Sequence, residues 1–269
     1  MISPARRRHR QGNGLLFVAL FAAFAASKSC DNRTATSPSG SRVSTPVQNP
    51  IDEVLRPAAG AQYSEGTAAA ILIDTSTSMQ EKVKDADGAM QPKIAIAQRA
   101  ALNLVAQFDN YAREHSDKPL LVGIYEFSDR GTGSRIRNII KLAPPDVAAA
   151  RDSIMKMHAE GDTPIGDALI KAKHDVDATG LSKRHILVIT DGENTVGYSP
   201  DDVTRAITHE KDTDRASIYF VAFDVAAAKF NSVRDAGGLV LGASNETDLK
   251  GTLDYLLTGK ILAEQPEHH

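Results

Sequence analysis

A single cysteine in 269 residues leaves no partner for an internal disulfide, so no bridge framework holds this chain. Its eight histidines show no paired spacing, and His268-His269 reads as a tail rather than a ligand pair. Basic excess is missing too: the net charge is −3, and no run of like charges is long enough to act as an interaction tail. That figure joins two unlike pieces. Residues 1–30 hold Arg6, Arg7, Arg8, Arg10 and Lys28 without an acid, while the remainder holds 26 basic against 34 acidic residues, a net of −8. A nucleic-acid binder needs a basic patch, and this balance offers none. The apolar run at 15–26 is 12 residues, short of the ~20 that span a bilayer. No internal repeat is present. What remains, 42% hydrophobic and 24% charged, is an ordinary globular composition with room for one sizeable core.

The N-terminus reads as an export signal over residues 1–30, with a positive region at Arg6 to Arg10 followed by the apolar run and small residues. Cys30 just beyond it resembles the lipid-modified cysteine of bacterial lipoproteins, although Ser27-Lys28-Ser29 departs from the residues that pattern wants. Cleavage after Ala26 or Ser29, and retention as an uncleaved anchor, are the other two outcomes. Residues 31–66, rich in Ser, Thr, Pro, Gly and Asn, are expected to form a tether outside the cytoplasmic membrane. The folded domain is expected over 67–262, with a tail at 263–269.

Within 67–262 short apolar runs alternate with amphipathic stretches. Strands are expected at 69–73, 120–127, 186–189, 218–223 and 239–241, with a weaker edge strand at 136–142. Ile94, Ala97, Ala101, Leu104, Val105, Phe108 and Tyr111 share one helical face. Further helices are expected at 147–157, 165–176, 230–236 and 246–261. Another starts at Ser199-Pro200, with Ser199 as N-cap and Asp202 reaching back. The alternation predicts an α/β fold, doubly wound around a mostly parallel central sheet.

In such a sheet, ligands sit beyond the carboxyl ends of the strands, so the residues just past each strand carry the interest. The first strand ends in "DTSTS", Asp74 to Ser78. The strand "HILVIT" ends in Asp191, Gly192 and Glu193, and "EGDTPIGDAL" opens a helix with Asp162 and Thr163. Hard oxygen donors dominate all three segments, and none contains Cys or His. That set suits Mg²⁺ or Mn²⁺ rather than Zn²⁺ or copper. Taken one at a time, the pieces also read as turn and cap residues: Thr163 before Pro164 has the form of a helix N-cap, and Asp191-Gly192 that of a turn. Their joint order and placement select the metal site.

These residues together make the chain resemble a von Willebrand factor type A domain carrying a metal-ion-dependent adhesion site. The family's signature is Asp-x-Ser-x-Ser after the first strand, a Thr opening a later helix, and an Asp after a central strand. Here those are Asp74-Thr75-Ser76-Thr77-Ser78, Thr163 and Asp191. The resemblance implies that Ser76, Ser78 and Thr163 touch the metal directly and that Asp74 and Asp191 hold it largely through waters. It implies a Glu or Asp from a partner protein in the sixth position. Residues 80–92 and the turn from Glu193 to Tyr198 would flank that contact. Glu193 alone also reads as a solvated turn residue.

A second class competes with this one. Phosphohydrolases of the haloacid-dehalogenase type also place an Asp after the first strand and use Mg²⁺, which would make Asp74 a nucleophile. They need a second Asp two residues on, where this chain has Ser76, and "GDTPIGD" spaces its acids one residue too far apart. The expected reading is therefore a non-enzymatic, metal-dependent binding module. "KDADGAM" at 84–90 lacks the Glu of a calcium loop and is expected to be a surface loop.

Overall fold

The computed structural model describes residues 50–56, 62–131 and 135–263; the export signal, Cys30 and residues 264–269 lie outside these. In chain order the strands are β1 (Ser64–Asp74), β2 (Lys82–Lys84), β3 (Met90–Pro92), β4 (Leu120–Phe127), β5 (Ile136–Ala143), β6 (Leu181–Thr190), β7 (Ser217–Phe223) and β8 (Leu239–Ala243). The helices are α1 (Pro50–Val54), α2 (Lys93–Glu114), α3 (Val147–Ile154), α4 (Ile165–Ala178), α5 (Pro200–Thr208), α6 (Asn231–Asp235) and α7 (Glu246–Leu256).

Six strands make one sheet in the order β5-β4-β1-β6-β7-β8, parallel throughout except for β5, which runs antiparallel along the β4 edge. β1 lies in the middle, and its buried stretch divides its side chains between two cores as the pleat demands. Ala69, Ile71 and Ile73 pack with Ile96, Leu104 and Phe108 of α2, Ile154 of α3 and Leu249 of α7. Ala68, Ala70 and Leu72 pack with Leu169 and Val176 of α4, Val203 and Ile207 of α5 and Val233 of α6. A strand covered on both faces must be apolar at every position, which is why this run is so readable in the sequence. Each Ile, Leu, Val or Phe side chain among them contributes about 1.5–3 kcal/mol when fully buried.

The chain leaves β1 toward β4 on one side and later returns through α4 to β6 on the other. The reversal opens a crevice at the carboxyl ends of β1 and β6, where an open α/β sheet takes its ligands.

Four features differ from the sequence expectation. β6 begins at Leu181, well before 186, because Arg184 and His185 are buried inside the strand. Arg184 is neutralised there by Asp177 at 3.2 Å and by the Thr213 carbonyl, and it stacks on the Tyr63 ring, partners that a hydropathy pattern does not reveal. Secondly, α1 lies within the stretch expected to be tether. Ile51 and Leu55, four residues apart, bury themselves in the same core as α4 and α5, a period too short to stand out. Thirdly, residues 82–92 are a hairpin rather than a plain loop. The Asp85 carboxylate accepts from the Asp87 and Ala89 amides at 3.0 and 2.7 Å, closing the turn. Finally, Ser199 does stand before Pro200 at the start of α5, but its hydroxyl donates to Asp201 and Asp202 does not close the cap. No helix of the described residues is long and apolar enough to cross a membrane.

Candidate metal centre

Beyond Asp74 the chain passes through an extended Ser76 into the 3-10 turn Thr77–Gln80, and the side chains from Asp74 to Ser78 divide between two sides. Thr75 and Thr77 turn to neighbouring loops. The Thr75 hydroxyl donates to the Phe127 carbonyl, and the Thr77 hydroxyl both donates to the Gly161 carbonyl and accepts from the Gly161 amide. Asp74, Ser76 and Ser78 turn the other way. The spacing Asp-x-Ser-x-Ser is thus a row of oxygens on one side and a row of fasteners on the other.

On the oxygen side, Ser76 Oγ lies 3.1 Å from Ser78 Oγ, and Ser78 Oγ donates to Asp191 Oδ1 at 2.6 Å. Asp191 follows β6, the strand beside β1. Gly192 borders the gap between segments: a Cβ placed there would stand 3.8 Å from Ser78 Oγ and 3.9 Å from Thr163 Oγ1, at ordinary contact distance from both. Three loops therefore aim hydroxyl or carboxylate oxygens at one small space. The structure brings together all five residues of the expected set, although more deeply than a surface crevice: Asp74 is 0% exposed, Ser76 2%, Thr163 4% and Asp191 7%. Only Ser78 is half-buried.

Asp74 sits at the bottom. Its Oδ1 accepts from the Ser76 amide at 2.7 Å and its Oδ2 from the Thr190 hydroxyl at 2.6 Å. Burial pushes its pKa up to about 6, since the hydrogen bonds from Thr190 and Ser76 only partly offset desolvation and the Asp191 charge adds to it.

The loop carrying Thr163 is held from three sides. Glu160 donates from its amide to the Thr75 carbonyl at 2.7 Å, and Asp162 and Asp129 exchange backbone hydrogen bonds at 2.9 Å each. Thr195 pairs with Thr163 through both its amide and its hydroxyl, at 3.0 and 2.8 Å. Gly161 has φ +94°, and a Cβ there would lie 2.3 Å from the Asp129 carbonyl oxygen, so only glycine fits. Thr163 is not the cap of α4. That role falls to Asn194 from the β6 loop, whose side-chain oxygen accepts from the Ile165 and Gly166 amides at 2.7 and 3.4 Å. The Thr163 hydroxyl is left without a hydrogen bond among the described residues. Asn194→Ala is expected to cost about 1 kcal/mol as a lost cap and to loosen the Thr163 loop, seen as a lower melting temperature and faster amide exchange at Ile165. Unchanged exchange there would count against this role.

Sequence reasoning missed a second ring of residues. Lys93, the first residue of α2, is 3% exposed, and its Nζ stands 3.0 Å from Asp191 Oδ2. Glu81 Oε2 at 2.9 Å and Asp224 Oδ2 at 3.1 Å share the same ammonium. Burial pulls the Lys93 pKa down, but the bonds to Glu81, Asp191 and Asp224 outweigh it and hold the group charged. Glu193 stands farther out on the rim, exposed and paired with Lys229 at 3.0 Å. Of the two acids a dehalogenase-type reading needs, Asp167 has its carboxylate engaged elsewhere. Asp162 pairs by backbone with Asp129, and the Asp167 carboxylate accepts from the Tyr198 amide at 3.0 Å and pairs with Arg135 at 2.8 Å.

Three hydroxyls and two carboxylates, with no nitrogen or sulfur donor among them, have the chemistry of a site for a small hard cation. Among the described residues no three His, Cys, Asp or Glu side chains cluster as ligands, so such a site here is one of few charges and several neutral oxygens.

Fold and oxygen constellation together define one class. The chain belongs to the von Willebrand factor type A domain family, whose model matches residues 70–247. No curated protein matches the chain by sequence. Among solved structures it is similar to the pilus adhesin SpaC from Lactobacillus rhamnosus GG in its open conformation, with a TM-score of 0.57 and 12% identity over 74% of this chain and 30% of that one. The D319A mutant of the PilB minor pilin from Streptococcus sanguinis gives 0.53 and 14% over 72% of this chain and 61% of the pilin. The conserved hypothetical protein BatB from Bacteroides thetaiotaomicron gives 0.54 and 17% over 74% of this chain and all of BatB. At these identities the likeness is one of fold, and this chain spans well under two thirds of the adhesin and just under two thirds of the pilin.

Proposed function

We infer that the chain is a non-enzymatic protein-binding module outside the cytoplasmic membrane, which holds a partner's Glu or Asp through a bound Mg²⁺ or Mn²⁺. One observation carries the reading: the oxygens of Ser76, Ser78, Thr163 and Asp191 face one space bordered by Gly192, above the buried Asp74. Ser76, Ser78 and Thr163 would hold the ion with neutral oxygens, and Asp74 and Asp191 would supply the charge. Mg²⁺ demands six oxygens in near-octahedral array, and an ion so held retains a position for one anionic oxygen from outside. Because the donors are sunk, a partner reaches them with a carboxylate at the end of a side chain. Tyr198 and the hairpin β2–β3 offer it flanking surface. That a pilus adhesin and a minor pilin share the fold fits display at a cell envelope, with the residues before α1 as signal and tether.

Thr163→Ala separates this reading from a purely structural one. The threonine hydroxyl caps no helix, so its loss is expected to leave the melting temperature of the metal-free chain within about 2 °C of the parent. Calorimetric titration should show Mn²⁺ binding weakened at least about tenfold, since one of few first-contact oxygens is gone. Parent-like Mn²⁺ affinity in the folded variant would place the ion elsewhere.

A further inference from the structure

Lys93 breaks two local rules. The first turn of a helix favours negative charge, yet α2 opens with a lysine and carries no acid in that turn. Lysine is also rarely buried, yet this one is 3% exposed. Its three carboxylate partners come from separate segments: Glu81 after the 3-10 turn at Thr77–Gln80, Asp191 after β6, and Asp224 after β7. Asp224 is the only non-glycine among the described residues with a left-handed backbone, φ 53°. Positions that break local rules together tend to be functional rather than accidental.

The consequence for Asp191 is specific. Its Oδ1 accepts from Ser78 in the oxygen row while its Oδ2 accepts from the ammonium. One carboxylate thus serves two cation positions, one of them permanently filled.

We propose that Lys93 is a resident monovalent cation that holds down the affinity of the neighbouring site for divalent ions by sharing Asp191 with it. The inference rests on the divalent-site reading above and deepens it. Coulomb repulsion from a fixed charge beside the ion opposes binding, and a carboxylate already engaged by an ammonium donates less to a metal. The ion that does bind is left short of negative charge, the condition under which an outside carboxylate is taken up. Glu81 sets the strength of the effect, because it partly neutralises the ammonium while its own side chain is 68% exposed.

Two substitutions in the full chain, titrated calorimetrically with Mn²⁺ alone, test this by opposite signs. Lys93→Met removes the charge and keeps the length, and Mn²⁺ binding should tighten about tenfold or more. Glu81→Gln strips a counter-charge from the lysine, and binding should weaken several-fold. A lysine that merely braces the hairpin and α2 predicts weakening in Lys93→Met through loss of order, and no change in Glu81→Gln. Should Lys93→Met fail to fold, Glu81→Gln decides alone, because that side chain is in solvent. Looser or equal Mn²⁺ binding by a folded Lys93→Met, or parent-like or tighter binding by Glu81→Gln, overturns the proposal and leaves the divalent-site reading standing. Absence of Mn²⁺ binding by the parent chain overturns both.

Discussion

Asp74→Asn is expected to raise the melting temperature of the metal-free chain at neutral pH and to abolish divalent binding. The reason lies in linkage. Asp74 has its pKa raised from 3.8 to about 6 by burial, so the folded state holds this proton more tightly than the unfolded state does. Its ionisation therefore opposes folding. That cost is absent below pH 4, grows as pH rises from about 4 to about 6, and is complete above about 6. A carboxyl group displaced that far costs the folded state about 2–3 kcal/mol once it is ionised. Asparagine has nearly the same shape and no charge, so at pH 7.5 the variant should melt about 5 °C or more above the parent, and the gap should close toward pH 4. Saturating Mn²⁺ or Mg²⁺ should reverse the order, because the parent gains a ligand that binds only its folded state. A variant that melts below the parent at pH 7.5 without metal, or that still gains stability from Mn²⁺, defeats the argument.

Gly161→Ala is expected to be strongly destabilising for a single added methyl group. At φ +94° an alanine carries about 1–2 kcal/mol of backbone strain. Its Cβ would also fall 2.3 Å from the Asp129 carbonyl oxygen, a group that cannot move without breaking the paired 129–162 hydrogen bonds. With the loss of those bonds the cost should reach about 3–4 kcal/mol, or about 10 °C in melting temperature. Thr163 stands two residues on and Thr77 is fastened to Gly161 itself, so Mn²⁺ binding should go with the stability. A melting temperature within about 2 °C of the parent would show that the loop has room this geometry denies it.

The parts of the fold that are readable in the sequence share one property: their signal is local. β1, β4 and β7 are buried on both faces and appear as apolar runs, β4 interrupted only by Gly123 and Glu126. The oxygen row is legible because five small oxygen-bearing side chains in succession are an unusual way for an apolar strand to end. The parts that escape a sequence reading depend on partners distant along the chain. Arg184 looks like a surface residue until Asp177, Thr213 and Tyr63 are placed around it, and His185 until Tyr219 is placed beside it. Lys93 looks like a solvated helix start until Glu81, Asp191 and Asp224 arrive from other loops. Proximity alone makes Thr163 the cap of α4, whereas Asn194 supplies it across 29 residues. One signal for Lys93 is present all the same: a positive charge at a helix start with no acid in the turn runs against the dipole.

The placement of β1 has a mechanical side. The strand enters the sheet at Ser64 and delivers Asp74 at the opposite end, paired over Thr67 to Asp74 with β4 and over Thr67 to Ile73 with β6. Were a ligand gripped at the carboxyl edge, tension between it and the chain preceding Ser64 would run along the strand axis. It would load both hydrogen-bond ladders in shear, many bonds at once, instead of peeling them open one by one. The strand that presents the oxygens is thereby also the element best placed to bear the pull.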